Sequence, residues 1–184
     1  MQVFPVELVE GCKKSNSKAQ RRLFDFYYAY MFNVCRRYVR DEMHAEDMLS
    51  QGFTKVFQSI YKFNYEAEIG LRAWIKKIMI NECLMWLRKK NNFNLVPITD
   101  ADDVAHDDFS LDETDVDYIL ESIASLPIGY KTVLNLNVIE GYSHAEISTM
   151  LNIKEATSRS QLNKAKQALK QKLLQYKQPY YGKG

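Results

Sequence analysis

Glycine and proline are scarce in this chain of 184 residues, which contains seven and four of them respectively. These residues break helices and form tight turns, and no segment shows the sustained alternation of apolar and polar residues that is typical of strands. Several segments instead place apolar residues three and four positions apart, which is the spacing of one helix face. The sequence therefore predicts an all-α fold.

Signals for secretion, membrane insertion and disulfide formation are also missing. The first residues, MQVFPVELVEGCKK, lack a basic region followed by an apolar run, and no apolar stretch approaches the roughly eighteen residues that span a bilayer. Cys12, Cys35 and Cys83 are widely spaced within apolar periodic segments, which favours buried free thiols over a disulfide framework or a zinc site. These absences predict a cytoplasmic protein.

Residue patterns for catalysis and cofactor binding are missing too. His44, His106 and His144 are scattered, and no glycine-rich phosphate loop occurs. We therefore expect no metal, no cofactor, no small-molecule substrate and no catalytic chemistry. One alternative is a nuclease that holds Mg²⁺ with the aspartates of residues 100–117, although these carboxylates would lack a rigid support.

Charge is distributed unevenly along the chain. The net charge is +6 for residues 1–99, −9 for residues 100–117 and +5 for residues 118–184. The acidic stretch has no Lys or Arg and few apolar residues, so burial cannot offset the entropy lost on ordering it. The sequence thus predicts two small helical domains, residues 1–95 and 118–178, with an acidic flexible linker over 96–117 and a tail over 179–184.

Three long helices are predicted in the first domain. The first begins at Ser17, because Ser17 and Gln20 have the spacing of a capping box. The second begins after Asp41, and the third runs from about Ile69 to Lys90. Glu82 falls inside the apolar arc of the third helix and has no explanation at this level.

The second domain is predicted to end in a helix-turn-helix. A helix around residues 118–125 precedes a break at Leu126-Pro127, and a further helix through Val133, Leu134 and Val138 stops at Gly141. Ser143 and Glu146 then form a capping box, Asn152 can adopt a turn conformation, and the last helix begins near Lys154.

The last helix has the composition of a DNA recognition helix. From Lys154 onward there are eight Lys or Arg residues and a single acid, Glu155, a density that attracts a polyanion. An ordinary solvated amphipathic helix is the alternative. Apolar residues share one face and polar residues suited to bases or phosphates project elsewhere: Leu162, Ala165, Leu169 and Leu173 form the first set, and Thr157, Ser160, Gln161 and Lys164 the second.

The third helix offers a different surface. Trp74, Lys77, Asn81 and Arg88 lie within a narrow arc of its helical wheel, beside the aromatic connector at residues 61–65. Aromatic, amide and cationic groups on one side can stack on unpaired bases and neutralise their backbone. An aromatic stripe is also typical of a core, and Trp86, on the opposite side, is expected to be core.

Two blocks of sequence resemble the extracytoplasmic-function branch of the sigma-70 family. The first consists of LFDFYYAYMFNVCRRYVRDEMHAEDMLSQGFTKVF with RAWIKKIMINECLMWLRKK, and the second is SLPIGYKTVLNLNVIEGYSHAEISTMLNIKEATSRSQLNKAKQAL. The resemblance covers nearly the whole chain. It implies an alternative sigma factor, which binds core RNA polymerase and directs promoter-specific transcription initiation.

The resemblance also implies partners and site residues. Region 2 would bind the β′ coiled coil and the melted minus-10 element, region 4 would bind the β flap and the minus-35 element, and an anti-sigma factor is an expected partner. The implied β′ contacts are Ala45, Glu46, Asp47 and Gln51. The implied minus-10 contacts are Phe63, Trp74, Lys77, Asn81, Arg88, Lys89 and Lys90, and the implied minus-35 contacts are Thr157, Arg159, Ser160, Gln161, Lys164 and Lys166.

A stand-alone helix-turn-helix regulator is the main competing interpretation. The second domain would then bind duplex DNA by itself, while the first domain would sense a signal or dimerise. This interpretation leaves the surface between Trp74 and Lys90 without a role. Duplex binding in the absence of polymerase distinguishes it from a sigma factor.

Overall fold

The computed structural model describes residues 6–64, 68–89 and 116–177, and every regular element in these ranges is helical. The chain divides into two compact units, Met1–Asn91 and Asn92–Gly184. The predicted all-α class is confirmed. In the described ranges, no helix has the length and apolar character needed to cross a membrane.

In its described residues, the first unit contains three long helices and one short one. Helices α2, α3 and α4 pack pairwise around a core that includes Leu23, Met31 and Ile75, while α1 packs against α2. Cys12, Cys35 and Cys83 are buried free thiols in this unit, as predicted. The helices are α1 (Val6–Lys13), α2 (Ser17–Tyr38), α3 (Glu42–Ser59) and α4 (Glu68–Lys89), with a 3-10 turn at Ile60–Lys62 after α3.

The helix starts are set by capping side chains. The Oδ1 atom of Asn16 accepts hydrogen bonds from the backbone N–H groups of Lys18 and Ala19, at 3.0 and 3.1 Å. The predicted capping box of Ser17 with Gln20 is therefore wrong, because Asn16 already satisfies these groups and places Ser17 in the first turn. Helix α3 begins after Asp41, as expected. Asp41 caps this helix, and the hydrogen bond from the His44 backbone lowers the pKa of the Asp41 carboxyl group.

Helices α3 and α4 approach each other closely at Gly52. A Cβ atom at this position would lie 2.2 Å from the Sδ atom of Met79, whose side chain is fully buried in α4. Only a residue without a side chain allows Met79 to occupy this space. The close approach brings the last turns of α3, including Lys55, against the middle of α4.

The second unit contains the predicted helix-turn-helix. The Ser143 and Glu146 capping box is present at the start of α7, and Asn152 adopts the left-handed conformation (φ 54°, ψ 52°) between α7 and α8. Gly141 also has a positive φ, 80°, as suits a helix stop. The helices are α5 (Val116–Ala124), α6 (Ile128–Leu134), α7 (His144–Leu151) and α8 (Glu155–Lys177), with a π-helical turn at Asn135–Ile139 after α6.

The structure differs from the predicted helix through Val138, and it leaves most of the predicted linker undescribed. The helix expected to run through Val138 changes at Asn135 into the π-helical turn, which leaves the side chain of Val138 58% exposed. The predicted linker, residues 96–117, lies outside the described residues except for its last two, which belong to α5. The predicted tail, residues 179–184, also lies outside them.

Replacing Asn16 tests the start of α2. Asn16→Ala removes the acceptor for two N–H groups and should lower the free energy of unfolding of the first unit by about 1 kcal/mol. Ser17→Ala, the matched control, should change it by less than about 0.5 kcal/mol. Urea denaturation followed by tryptophan fluorescence measures this unit selectively, because the two tryptophans, Trp74 and Trp86, both lie in α4. A larger effect at Ser17 than at Asn16 would contradict the capping assignment.

Candidate nucleic-acid interfaces

The α4 surface predicted from sequence is present in the first unit. Lys77, Asn81, Arg88 and Lys89 are exposed along α4, and their cationic and amide groups point away from the core. Trp74 is half-buried at one end of this surface, where its ring packs against Phe63 with 4.9 Å between the ring centroids. The structure therefore brings Phe63 of the connector against α4. Lys90 lies outside the described residues.

A groove runs beside Asn81, between the end of α3 and the second half of α4. Its volume is about 590 Å³, and hydrogen-bonding side chains from both helices line it. Sequence reasoning found the α4 side of this groove but missed the α3 side, because helical periodicity does not tell which side of α3 meets α4. The lining residues are Lys55, Gln58 and Ser59 from α3, and Ile78, Asn81, Glu82, Met85 and Arg88 from α4.

The structure explains Glu82, which stood out within the apolar arc. Its side chain is only 4% exposed, and Oε1 accepts a hydrogen bond from Lys55 Nζ at 2.6 Å. A buried carboxylate is strongly unfavourable without a cation or hydrogen-bond donors, and Lys55 supplies both from the neighbouring helix. Glu82 thus belongs to the groove wall, next in sequence to Asn81.

The exposed face of α3 lies on a different side of the helix. Glu46, Asp47 and Gln51 are exposed, and Gln51 follows Asp47 by four residues, so the two side chains share one face. Ala45, in contrast, is fully buried. The prediction that Ala45 contacts a partner is wrong, because its methyl group packs in the core and leaves the neighbouring acids to form the surface.

Trp86 was expected to be core and is instead half-buried at the edge of the first unit. Its ring lies against the imidazole of His44, with 4.9 Å between the ring centroids. This contact joins the second half of α4 to the first turn of α3. Trp86 is therefore a packing residue, although it is not fully enclosed.

In α8, the buried stripe differs from the predicted one. Ser158, Gln161, Leu162 and Ala165 are buried and follow the three- and four-residue spacing of a packing face. Gln161 is only 3% exposed. A Cβ atom added at Gly129 of α6 would lie 3.0 Å from the Oε1 atom of Gln161. The prediction that Gln161 contacts DNA is therefore wrong, because its side chain fills the space that Gly129 leaves open.

The remaining predicted residues of α8 are accessible. Arg159 and Lys166 are exposed, and Arg159 also forms an ion pair with Glu155. Thr157, Ser160 and Lys164 are half-buried. Cationic and hydroxyl groups of α8 therefore remain at least partly exposed without Gln161.

A hydrogen bond fixes the angle between the two helices of the helix-turn-helix. The Nδ1 atom of His144, at the start of α7, lies 2.8 Å from the Oγ atom of Ser158, which is fully buried in α8. Burial, with a further contribution from nearby Arg159, lowers the pKa of His144. The neutral imidazole is therefore favoured at this contact.

Metal binding finds no support in the part of the chain that the structure describes. No group of three or more His, Cys, Asp or Glu residues has suitable geometry in these ranges. The aspartate-rich run that motivated the nuclease alternative lies outside them.

Comparison with known proteins identifies both units. Residues 23–93 match the family described as Sigma-70 region 2, and residues 117–169 match Sigma-70, region 4. Together these matches cover about two thirds of the chain. They include the α4 surface, the groove and the helix-turn-helix.

Two curated relatives match this chain over most of its length. The chain is 23% identical to the ECF RNA polymerase sigma factor SigW of Bacillus subtilis, over 94% of this chain and 98% of that protein. It is 24% identical to the ECF RNA polymerase sigma-E factor of Haemophilus influenzae, over 90% and 93% of the two chains.

A solved structure shows the same fold. The sigma factor RpoE of Bartonella quintana, crystallised with the anti-sigma factor NepR, aligns with a TM-score of 0.51 and 18% identity, over 84% of this chain and 96% of that chain. The chain belongs to the sigma-70 family of RNA polymerase sigma factors, in its extracytoplasmic-function branch.

Proposed function

We propose that this protein is an alternative sigma factor, which binds core RNA polymerase and directs transcription initiation at a specific set of promoters. The observation that carries this proposal is the presence, in one chain, of two different nucleic-acid surfaces. The α4 surface with its groove suits unpaired bases, and the helix-turn-helix suits duplex DNA. Promoter opening requires a protein to hold both forms of DNA.

The minus-10 element is assigned to the α4 surface. Asn81 offers an amide that can pair with a base edge, and the ring pair of Phe63 and Trp74 offers an aromatic surface for stacking. Lys77 and Arg88 supply the positive charge that a phosphate backbone requires. Melted single-stranded DNA satisfies all three features, whereas a closed duplex hides its base faces.

The minus-35 element is assigned to the helix-turn-helix. Arg159 and Lys166 are the exposed cations of α8, and Thr157, Ser160 and Lys164 lie beside them. Cations and hydroxyl groups on a recognition helix contact phosphates and base edges of the major groove. Specificity at minus-35 therefore rests on these five residues, and Gln161 supports α8 from within.

Polymerase contacts are assigned to both units. Glu46, Asp47 and Gln51 on α3 form the proposed contact with the β′ coiled coil. In the second unit, Val138 and Ile139 are 58% and 45% exposed at the π-helical turn, and we assign the β flap to this apolar surface. An anti-sigma factor that covers such surfaces is the proposed regulator, and the cytoplasm, where RNA polymerase acts, is the proposed location.

The function can be tested by reconstituted transcription. Core polymerase with the wild-type protein should start transcripts on genomic fragments that core polymerase alone does not start. Asn81→Ala should reduce this initiation at least about fivefold, because one base contact is worth about 1–3 kcal/mol. Arg21→Ala, which removes an exposed cation on α2 paired with Asp25, is the control and should leave initiation within about twofold.

The same assay separates the two candidate functions. A sigma factor binds core polymerase stably and has little specific affinity for DNA when free. If the protein binds a defined duplex tightly without polymerase, and neither binds core nor starts transcripts, the stand-alone regulator replaces the proposal.

A second prediction concerns the corrected role of Gln161. Gln161→Met preserves the shape of a buried side chain, so base preference at minus-35 should stay unchanged in the polymerase complex. Lys166→Ala removes an exposed cation. A plot of log affinity against log salt concentration should therefore become less steep, by about 1 unit of slope. Equilibrium binding of the polymerase complex to promoter DNA at several salt concentrations measures both effects. A changed base preference in Gln161→Met would contradict its packing role.

A further inference from the structure

Glu82 and Lys55 occupy a part of the groove wall to which the proposed function gives no role. Glu82 follows Asn81 directly on α4, and its nearly enclosed carboxylate is bonded to Lys55 of α3 at 2.6 Å. Gln58 and Ser59, from the last turn of α3, lie on the opposite side of the same groove. The ion pair thus joins the two helices beside Asn81, the residue to which the proposed function assigns the base contact.

The position of this ion pair is fixed by the close contact one turn earlier. Gly52 meets Met79, and Lys55 and Glu82 each lie three residues further along the same two helices. Packing at the first contact sets the distance between the helices, while the charged hydrogen bond at the second sets their register. Asn81 therefore lies on α4 between its two contacts with α3, at Met79 and at Glu82.

An ion pair is a poor choice if stability is its only role. Glu82 is nearly enclosed whereas the Lys55 side chain is 48% exposed, so the cost of desolvating the carboxylate offsets much of its attraction to the lysine. The best-supported benefit of such a pair is geometric specificity. In this groove the pair also cancels the charge of a carboxylate that would otherwise repel a polyanion close to Arg88.

We propose that the Lys55–Glu82 ion pair positions Asn81 for base selection, and so determines how sharply the protein discriminates among bases in the melted promoter strand. This inference rests on the proposed function. Glu82 and Lys55 act here as positioning residues, because they work through Asn81 and need not touch DNA. Loosening the pair should widen base preference while initiation at the preferred promoter continues.

A double-mutant cycle tests this role. The variants are Asn81→Ala, Glu82→Gln and the double variant. Each is combined with core polymerase on a promoter library with randomised minus-10 positions, and relative initiation is measured for every base. Glu82→Gln keeps the length of the side chain and an oxygen for Lys55 but removes the charge. Glu82→Gln should reduce the base preference at one minus-10 position at least about fivefold, which corresponds to the lower end of the free energy of a base contact. The double variant should have the same base preference as Asn81→Ala alone.

Lys55 provides conservative and disruptive variants at the other end of the pair. Lys55→Arg retains a cation and should retain base preference, whereas Lys55→Met should lose it as Glu82→Gln does. Tryptophan fluorescence in urea reports directly on the α4 fold of each variant. If Lys55→Met does not fold, Glu82→Gln and Lys55→Arg still decide the outcome.

The results distinguish this inference from the proposed function. The positioning role is rejected, and the sigma function stands, if the wild type initiates with a clear base preference that Glu82→Gln leaves unchanged. The same conclusion follows if Glu82→Gln lowers initiation equally for all bases, or if its effect on base preference adds fully to that of Asn81→Ala. If the wild type starts no transcripts with core polymerase, both are rejected. The supporting result is that Glu82→Gln reduces base preference when Asn81 is present and has no further effect on base preference when Asn81 is replaced by Ala.

Discussion

The contact between α3 and α4 is the constraint on which the first unit depends. The missing side chain of Gly52 lets Met79 fill the space between these helices, and the Lys55–Glu82 ion pair holds them one turn further on. With this distance fixed, a groove lies between the two helices on one side, and Asn81 is one of the residues that line it. The burial of Ala45 fixes the rotation of α3, so that Glu46 and Asp47 point outward on a separate surface.

The second unit uses buried polar groups in a comparable way. Ser158 and Gln161 lie in the packing face of α8, where one meets His144 of α7 and the other lies against Gly129 of α6. These contacts set how α8 sits against its neighbours, and Asn152 sets the turn before it. The outward face of α8, with Arg159 and Lys166, follows from that arrangement.

Much of this organisation could be predicted from sequence, because it is local. Helical spacing, the Ser143–Glu146 box and the Asn152 turn depend on residues close in the chain, and the exposed row on α4 follows from its periodicity. The helix start at Ser17 was predicted, but its cap was assigned one residue too late, since Asn16 and Ser17 are adjacent residues of types that both cap helices. Sequence alone does not show which of them leaves the helical conformation.

The remaining errors and omissions come from tertiary contacts. Gln161 was assigned to the surface because it is polar, but the space that accepts it is created by Gly129, 32 positions earlier. The partner of Glu82 is likewise 27 positions away. The α3 side of the groove requires the crossing of two helices, which no pattern within either helix specifies.

The most direct test of the account is to place a photo-crosslinking amino acid at Asn81 and irradiate the protein with promoter DNA, with and without core polymerase. The account predicts crosslinks to unpaired bases of the minus-10 region only in the polymerase complex, together with permanganate reactivity of the same melted segment. Equal crosslinking to duplex DNA by the free protein, or no crosslink in an open complex, would contradict it.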